Sequence, residues 1–496
     1  MSKVAIIGAG MGGLMAGNLL AKKGHEVTIF EAHTAPGGYT AGFRQQGYYF
    51  ESGTLSFESS HVVFPAMKEL GLLDKVPFVR QHSRLVTRDF ECNMYKVEDL
   101  KAAMYAAYPS ERENLDRYWT DVEKMRMLYG ALAKPRNFVD KISFPLTMLS
   151  FMRMFRKYEK MTITEFTARY FDRGTPLYQL LKDFGYPDMS ASIVPAAFMA
   201  FIEDYWTVKT GMQSWADVLA ENFKQLGGEL RLNARVEKIL TRNGAVASVI
   251  CGNREHPADY VLSACDYKKT FLNMLGDKML LPQGFTEKLR AAAVSEGFVT
   301  VYLGLNICSA KLQEYMKLPH VTYFDHRPDC NIYNAADENF FEKTSLWLYS
   351  TSMLHEKNAP DGKSSLMIQT PAPYRWMNNW GNGDREVYRR LKDKAKRAMI
   401  RKAAVIIPGI EKHIEFEDAA TPLTYERYTG NTDGATSAWS WNPNKWYYSD
   451  AYKVRVKTPV KNLLITSCWA HEMGGIPTTF EAAERCTSIV QRNPKF

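Results

Sequence analysis

The chain has 496 residues, 46% of them hydrophobic and 24% charged, with a formal net charge of +9. This composition excludes a disordered or fibrous chain, and the length predicts two interleaved domains. No Lys/Arg block is interleaved with aromatics as in a nucleic-acid groove, so the charge reads as solubility plus attraction to an anionic membrane, and no nucleic-acid partner is expected.

The seven cysteines, Cys92, Cys251, Cys265, Cys308, Cys330, Cys468 and Cys486, are scattered, with no Cys-x-x-Cys pair and no Cys/His group of zinc spacing. Free thiols in a reducing, cytoplasmic compartment and no metal site are expected. A strand starting at Val4 leaves no room for a secretory leader, and no run of about 18 apolar residues predicts a bilayer span. The expected location is cytoplasmic, with peripheral attachment to the cytoplasmic membrane face as an option. Aromatics at 13% and 23 methionines fit a large core first, and after it a roomy pocket for a greasy ligand.

The first element is "VAIIGAGMGG". An apolar strand at 4–7 runs into Gly8-x-Gly10-x-x-Gly13, a helix through Leu14, Leu19 and Leu20 follows, and a second strand at 27–30 ends in Glu31. Gly8 makes the tight turn, Gly10 lets the backbone approach a pyrophosphate, and Gly13 lets helix and strand pack closely. The free N–H groups at the start of the helix, at Met11 and Gly12, point at the phosphates. Glu31 is placed to accept hydrogen bonds from ribose hydroxyls and to repel a 2′-phosphate.

Gly37-Gly38 comes next, followed by Tyr39 and Thr40, then "GYYFESG" at 47–53, which reads as a strand and turn. A nicotinamide Rossmann domain does not need the second glycine pair, whereas FAD-binding proteins of the glutathione-reductase superfamily do. At this stretch the sequence resembles the phytoene desaturase, carotenoid isomerase and retinol saturase group of FAD enzymes. Glu51 stands where that group usually has Asp.

The resemblance implies an α/β fold: an interrupted FAD-binding Rossmann-type domain (1–79, 213–269 and 455–496) with a mixed-sheet and helical substrate domain (80–212 and 270–454). Within the first, an amphipathic helix at 215–226 precedes short strands at 229–232, 236–241 and 246–251, and "ADYVLSAC" reads as a buried strand. By resemblance, Val236 holds the adenine through its backbone and Ala264 leads a loop near the pyrophosphate. There is no second GxGxxG, so electrons would enter or leave through an external partner such as a quinone.

In the substrate segments, strands are expected at 298–305, 345–354 and 364–374. The stretch 142–160 places Met148, Phe151, Met152 and Phe155 on one helical face beside Arg153, Arg156, Lys157 and Lys160. It fits a core helix with a solvated end, and it also fits an interfacial helix that collects a lipid substrate from a membrane. The basic run 385–404 reads as a solvated helix face.

The chain closes with an apolar strand at 463–466 and a helix starting near Pro477. By resemblance this helix brings its N-terminus to the flavin pyrimidine ring, with Gly474, Gly475 and Ile476 supplying backbone N–H groups that favour the anionic reduced ring. His471 and Glu472 are the candidate acid–base pair for a carbon-bound proton, against a reading as a loop pair away from the chemistry. The stretch 428–443, with Trp439 and Trp441, suggests a pocket wall.

The implied activity is FAD-dependent hydride transfer to or from an apolar polyene or isoprenoid: desaturation, saturation or cis–trans isomerisation. Two other readings are an amine oxidase, with an aromatic cage from Trp439, Trp441 or Trp469, and a flavin-free lipid-binding protein of the GDP-dissociation-inhibitor type.

Overall fold

A computed structural model of the protein describes residues 1–131, 138–325, 334–448 and 453–492. Its first sheet is built from β1 (Lys3–Ile7), β2 (Glu26–Phe30), β3 (Glu229–Arg231), β4 (Tyr260–Ser263) and β5 (Leu463–Ile465). All neighbours are parallel, in the order β5-β4-β1-β2-β3. Parallel strands need crossovers. Between β1 and β2 the crossover is α1 (Met11–Lys22). Between β2 and β3 the chain leaves the sheet and returns through α2 (Met212–Gln225). After β5, α3 (Ile476–Arg492) packs across α1.

Position in this sandwich dictates composition. Every residue of α1 from Met11 to Ala21 is buried, because the sheet lies on one side and two helices on the other. A Cβ on Gly17 would stand 2.7 Å from Ile29 and 3.2 Å from Phe223, so glycine sets the spacing between β2, α1 and α2. The buried face of α2 repeats at helical period: Met212, Trp215, Ala216, Leu219, Ala220 and Phe223. Asn18 ties the two helices, donating to Leu14 O at 2.8 Å and Leu219 O at 2.9 Å. Glu51 starts α2: fully buried, it accepts the Met212 N–H and the Tyr49 hydroxyl, each at 2.9 Å, and burial pushes its carboxyl up to about 8.

The second sheet has seven strands in the order Ile414–Ala420, Gly297–Leu305, Ser364–Ala372, Leu346–Tyr349, His320–Tyr323, Ser83–Val86, Glu91–Met94. All pairs are antiparallel except His320–Tyr323 with Ser83–Val86, so the sheet is mixed. The strand expected over 345–354 stops at Tyr349. Beyond it Ser352 and Thr351 spend their polar groups on Ser365 and the Tyr49 carbonyl, which turns the chain. The basic helix Arg385–Ala403 buries Leu391, Ala395, Ala398 and Met399 on this sheet. Its outer face is charged and ion-paired, with Arg397 and Lys396 on Glu417 and Lys392 on Asp418.

Helices over 97–131 and 138–202 enclose a further core around Tyr118, Trp119, Phe166 and Phe198. In Phe138–Tyr158, Tyr158 is buried and Met154 packs on that core, while Leu149 and Met152 are 48% and 43% exposed. The side chains of 142–147 lie outside the described residues. Among the described residues no helix is long and apolar enough to cross a membrane. The core beneath the first sheet also takes in Phe271, Leu289, Trp439 and Tyr447, from segments that the sequence assigned to the substrate domain.

Candidate active site

The N-terminus of α1 is the site's first wall. Gly10 is its cap residue, with φ −72° and ψ 176° and no side chain to satisfy the first turn. The Leu14 N–H returns to the Gly10 carbonyl at 2.9 Å, so the first-turn N–H groups before it, those of Gly12 and Gly13 foremost, have no carbonyl one turn back to bond. Around this end the predicted glycines converge. The Gly37 N–H donates to Ala9 O at 2.9 Å, and a Cβ on Gly38 would lie 3.3 Å from the Gly10 Cα. Thr40 is buried behind them, its N–H on Gly37 O at 3.0 Å. Ala264 closes the far side, 3.4 Å from a Cβ placed on Gly8, and is tied to Ile7 O at 2.9 Å.

A Cβ on Gly12 would lie 1.8 Å from the Thr466 carbonyl oxygen, and one on Gly13 would lie 2.1 Å from the Gly8 carbonyl oxygen. A Cβ on Gly10, in contrast, would meet no protein atom within 4 Å. Gly12 and Gly13 are therefore glycines for packing, and Gly10 faces an open cradle.

This cradle fits the FAD pyrophosphate: free N–H groups, the positive helix end and backbone without side chains all face one space. Glu31 fits the ribose. It is 8% exposed, with Oε2 accepting the Ala9 N–H at 2.7 Å and Oε1 the His33 N–H at 2.9 Å. Each carboxylate oxygen keeps a second lone pair for a ribose hydroxyl. Val236 is buried in the strand Val236–Arg242, two residues beyond Ala234, whose N–H donates to the Glu31 carbonyl at 2.7 Å.

The second wall is a cavity of about 220 Å³ between the second sheet and the helical layer. Tyr39 lines it, directly after the second glycine pair, with its hydroxyl donating to Gly434 O and Ala435 O at 3.1 and 2.9 Å. Phe184, Tyr186, Phe201, Phe298, Phe324 and Trp347 supply aromatic faces, and Ser83, His320 and Gln369 supply polar groups. His320 is hydrogen-bonded through Nδ1 to the Ser83 hydroxyl, and burial lowers its ring to about 4, so it is neutral at physiological pH. Tyr186 stacks on Trp441 at 3.9 Å, and burial raises its hydroxyl to about 12.

The pocket wall expected over 428–443 reaches the cavity through Thr436 and Ser437. Trp439 and Trp469 do not line it. They are fully buried, with the Trp439 ring stacked on Tyr447 at 4.2 Å and its N–H donating to Trp469 O. Of the three indoles expected for an aromatic cage, Trp441 reaches the cavity wall, by stacking on Tyr186. The cavity's Tyr39 and Tyr425 are stacked on each other at 5.8 Å.

His471 and Glu472 are also not among the lining residues. Glu472 is fully buried and accepts the N–H groups of Tyr447 and Tyr448, both at 2.8 Å. His471 is 7% exposed, and its Nδ1 accepts the Met473 N–H at 3.0 Å. Sequence proximity to the glycine turn suggested both for chemistry, but the backbone at 447–448 takes up Glu472 and the Met473 backbone takes up His471. Gly474 is wedged against Cys468, with a Cβ there 2.7 Å from the Cys468 carbonyl oxygen. The Gly475 N–H donates to the Thr478 hydroxyl at 2.9 Å, a first-turn cap for α3, and Ile476 is the first residue of that helix. Among the described residues no His, Cys, Asp and Glu group could hold a metal ion.

Among proteins of known activity, the chain is 25% identical to a 4,4'-diapophytoene desaturase (4,4'-diapolycopene-forming) of Methylomonas sp, over 99% of this chain and 95% of that one. It is 23% identical to an all-trans-retinol 13,14-reductase of Danio rerio, over 93% and 81%. Its fold matches a solved oxidoreductase from Methanosarcina mazei with a TM-score of 0.64 at 14% identity, over 98% of this chain and all of that one. The family described as flavin containing amine oxidoreductase matches residues 11–490. The chain therefore belongs to the flavin-containing amine oxidoreductase family, as an FAD-dependent oxidoreductase.

Proposed function

We propose that the protein transfers hydride between FAD and a C–C or C=C bond of a long apolar polyene or isoprenoid. One observation carries this reading: Tyr39, next in the chain to the second glycine pair, also lines a cavity rich in aromatic rings, which brings cofactor and apolar substrate side by side. When bound, FAD supplies hydride acceptance or donation. The protein's share is to bind and to exclude water. The N–H groups of α1 hold the pyrophosphate, Glu31 orients the ribose, and the aromatic faces position a polyene. The two relatives support the bond type from opposite directions, one named for desaturation and one for reduction. Isomerisation uses the same frame without net electron flow, and either redox direction requires an external electron partner.

The test is the flavin spectrum of the purified protein under anaerobic addition of carotenoids, retinoids and amines. Bleaching by a saturated polyene precursor is expected for desaturation, and return of the oxidised bands when a polyene is added to reduced flavin for saturation. Bleaching by amines alone would replace this reading with amine oxidation.

Delivery of such a substrate is served by exposed Leu149 and Met152, which stand beside Arg153, Arg156 and Lys157 on the helix Phe138–Tyr158. An apolar patch next to cations suits an anionic lipid surface. Co-sedimentation with phosphatidylglycerol vesicles is expected to fall several-fold in a Leu149→Asp/Met152→Asp variant of unchanged melting temperature. Equal binding of the variant would remove this helix from membrane contact.

A further inference from the structure

We propose that Glu58 is the acid–base group that exchanges the carbon-bound proton accompanying hydride transfer. This role rests on the proposed function above, because moving hydride to or from a C–C bond leaves one proton to be taken up or supplied.

The placement is geometric. Glu58 follows the bridge between Phe57 and Trp206 and precedes the helix Ser60–Glu69. Its Oε1 lies 3.1 Å from where a Cβ of Gly475 would stand, so the carboxyl sits against the glycine turn that opens α3. Glu58 is not itself among the cavity's lining residues, and its link to the cavity runs through neighbours that are. Ser56, two positions earlier, lines the cavity, and the Tyr186 and Tyr205 hydroxyls, both from the cavity wall, interact electrostatically with Glu58. The carboxyl therefore stands at the seam between the turn expected to face the flavin ring and the space for substrate. Among the described residues the hydrogen-bond partner found for it is its own backbone N–H.

The charged and titratable groups facing Glu58 are Asp204, Tyr186 and Tyr205. Asp204 is held in place, its Oδ2 accepting the Ser60 N–H at 2.9 Å and its Oδ1 the Trp206 indole N–H at 2.8 Å. Burial first, and the Asp204 charge second among the raising causes, push the Glu58 carboxyl up to about 7. A group titrating there is populated in both protonation states at neutral pH, as an acid–base catalyst requires.

The other candidates have different roles. Both oxygens of Glu472 are engaged by backbone, His471 is bonded to Met473, and Asp183 is paired with Lys182 at 2.7 Å. Glu296 lines the cavity and is the competitor to exclude.

In the oxidative direction one C–H bond breaks with its electron pair leaving as hydride to FAD. The neighbouring C–H bond breaks with its proton going to the Glu58 carboxylate, and the C=C bond forms. The substrate loses two electrons and FAD gains them. Saturation runs the same balance backwards, with protonated Glu58 as donor.

The experiment compares native holoenzyme with Glu58→Gln, Glu58→Asp and Glu296→Gln, each checked for flavin content and melting temperature. Infrared difference spectra across pH 5–9 are expected to show a protonated-carboxyl band titrating near 7 in the native protein and lost in E58Q. Single-turnover flavin reduction or reoxidation by polyene should slow by about 10²- to 10⁴-fold in E58Q, lose its inflection near pH 7, and recover in part in E58D. Should E58Q fail to hold flavin, E58D carries the test through a shifted inflection. A native-like rate and profile in E58Q, a missing carboxyl band, or the same loss in E296Q would overturn the assignment. Native enzyme inert toward every polyene would instead sink the proposed reaction, an outcome distinct from an active enzyme indifferent to Glu58.

Discussion

Gly12→Ala is expected to abolish folding to a flavin-holding state, while Gly10→Ala, two residues away, keeps the fold and loses the flavin. The methyl group on residue 12 would lie 1.8 Å from the Thr466 carbonyl oxygen and 2.9 Å from its carbon. These are backbone atoms just past β5, where the Thr466 N–H is already bound to Ser263 O at 2.9 Å, so no side chain can swing away. Relief requires α1 and β5 to separate. Overpacking of a core commonly costs about 1–3 kcal/mol, and a clash with fixed backbone belongs at or above the top of that range.

The methyl group on residue 10 meets no protein atom and sits at a φ any residue adopts. Its cost to the fold is that of a poorer helix cap, within about 1 kcal/mol. It would fill the cradle, however, and weaken FAD binding by at least about tenfold, or ~1.4 kcal/mol. Melting temperature and the ratio of flavin to protein absorbance read the two effects separately. Full flavin occupancy in the Gly10 variant would move the pyrophosphate away from this turn.

Replacing Glu472 with Ala is expected to be felt in stability more than in chemistry. The side chain is fully buried, and its two oxygens take the N–H groups of Tyr447 and Tyr448. Truncation leaves both donors buried without partners, at about 1–3 kcal/mol each. The loosened segment carries Tyr447, whose ring stacks on Trp439 at the floor of the first core. A fall of several degrees in melting temperature is the expected result, with turnover per bound flavin retained below the melt.

Burial raises the Glu472 carboxyl to about 7, above its value in the unfolded chain, so the protonated form is favoured on folding. The contribution from this ionisation is therefore complete below pH 4.5 and declines as pH rises through 7. The margin of the native protein over Glu472→Gln should shrink across that window. Turnover collapsing in E472Q at unchanged stability would return the residue to the chemistry.

The nucleotide half was legible in the chain because its signals are local. Strand, glycine turn, helix and terminal acid lie within residues 3–31, and each responds to constraints a few residues away. The same holds for α2, whose burial follows the 3.6-residue period, and for the cap-and-glycine start of α3. Composition added what the chain could not be, and the second glycine pair pointed to FAD.

Tertiary structure decided which side chains face the cavity. Tyr39 follows the second glycine pair, Tyr186 lies in the helical layer, His320 on a strand of the second sheet and Ser437 in the loop before Trp439, so no spacing in the sequence brings them together. It also separated residues that sequence had grouped. His471 and Glu472 stand beside the last glycine turn, yet a loop's unpaired backbone N–H groups claim their polar atoms first, because an unbonded donor in the core costs more than any neighbour in sequence can offset. Glu58 carries no motif. Its place against Gly475, the partial desolvation there and the nearby Asp204 charge raise its carboxyl, and surroundings of that kind are a property of the assembled fold.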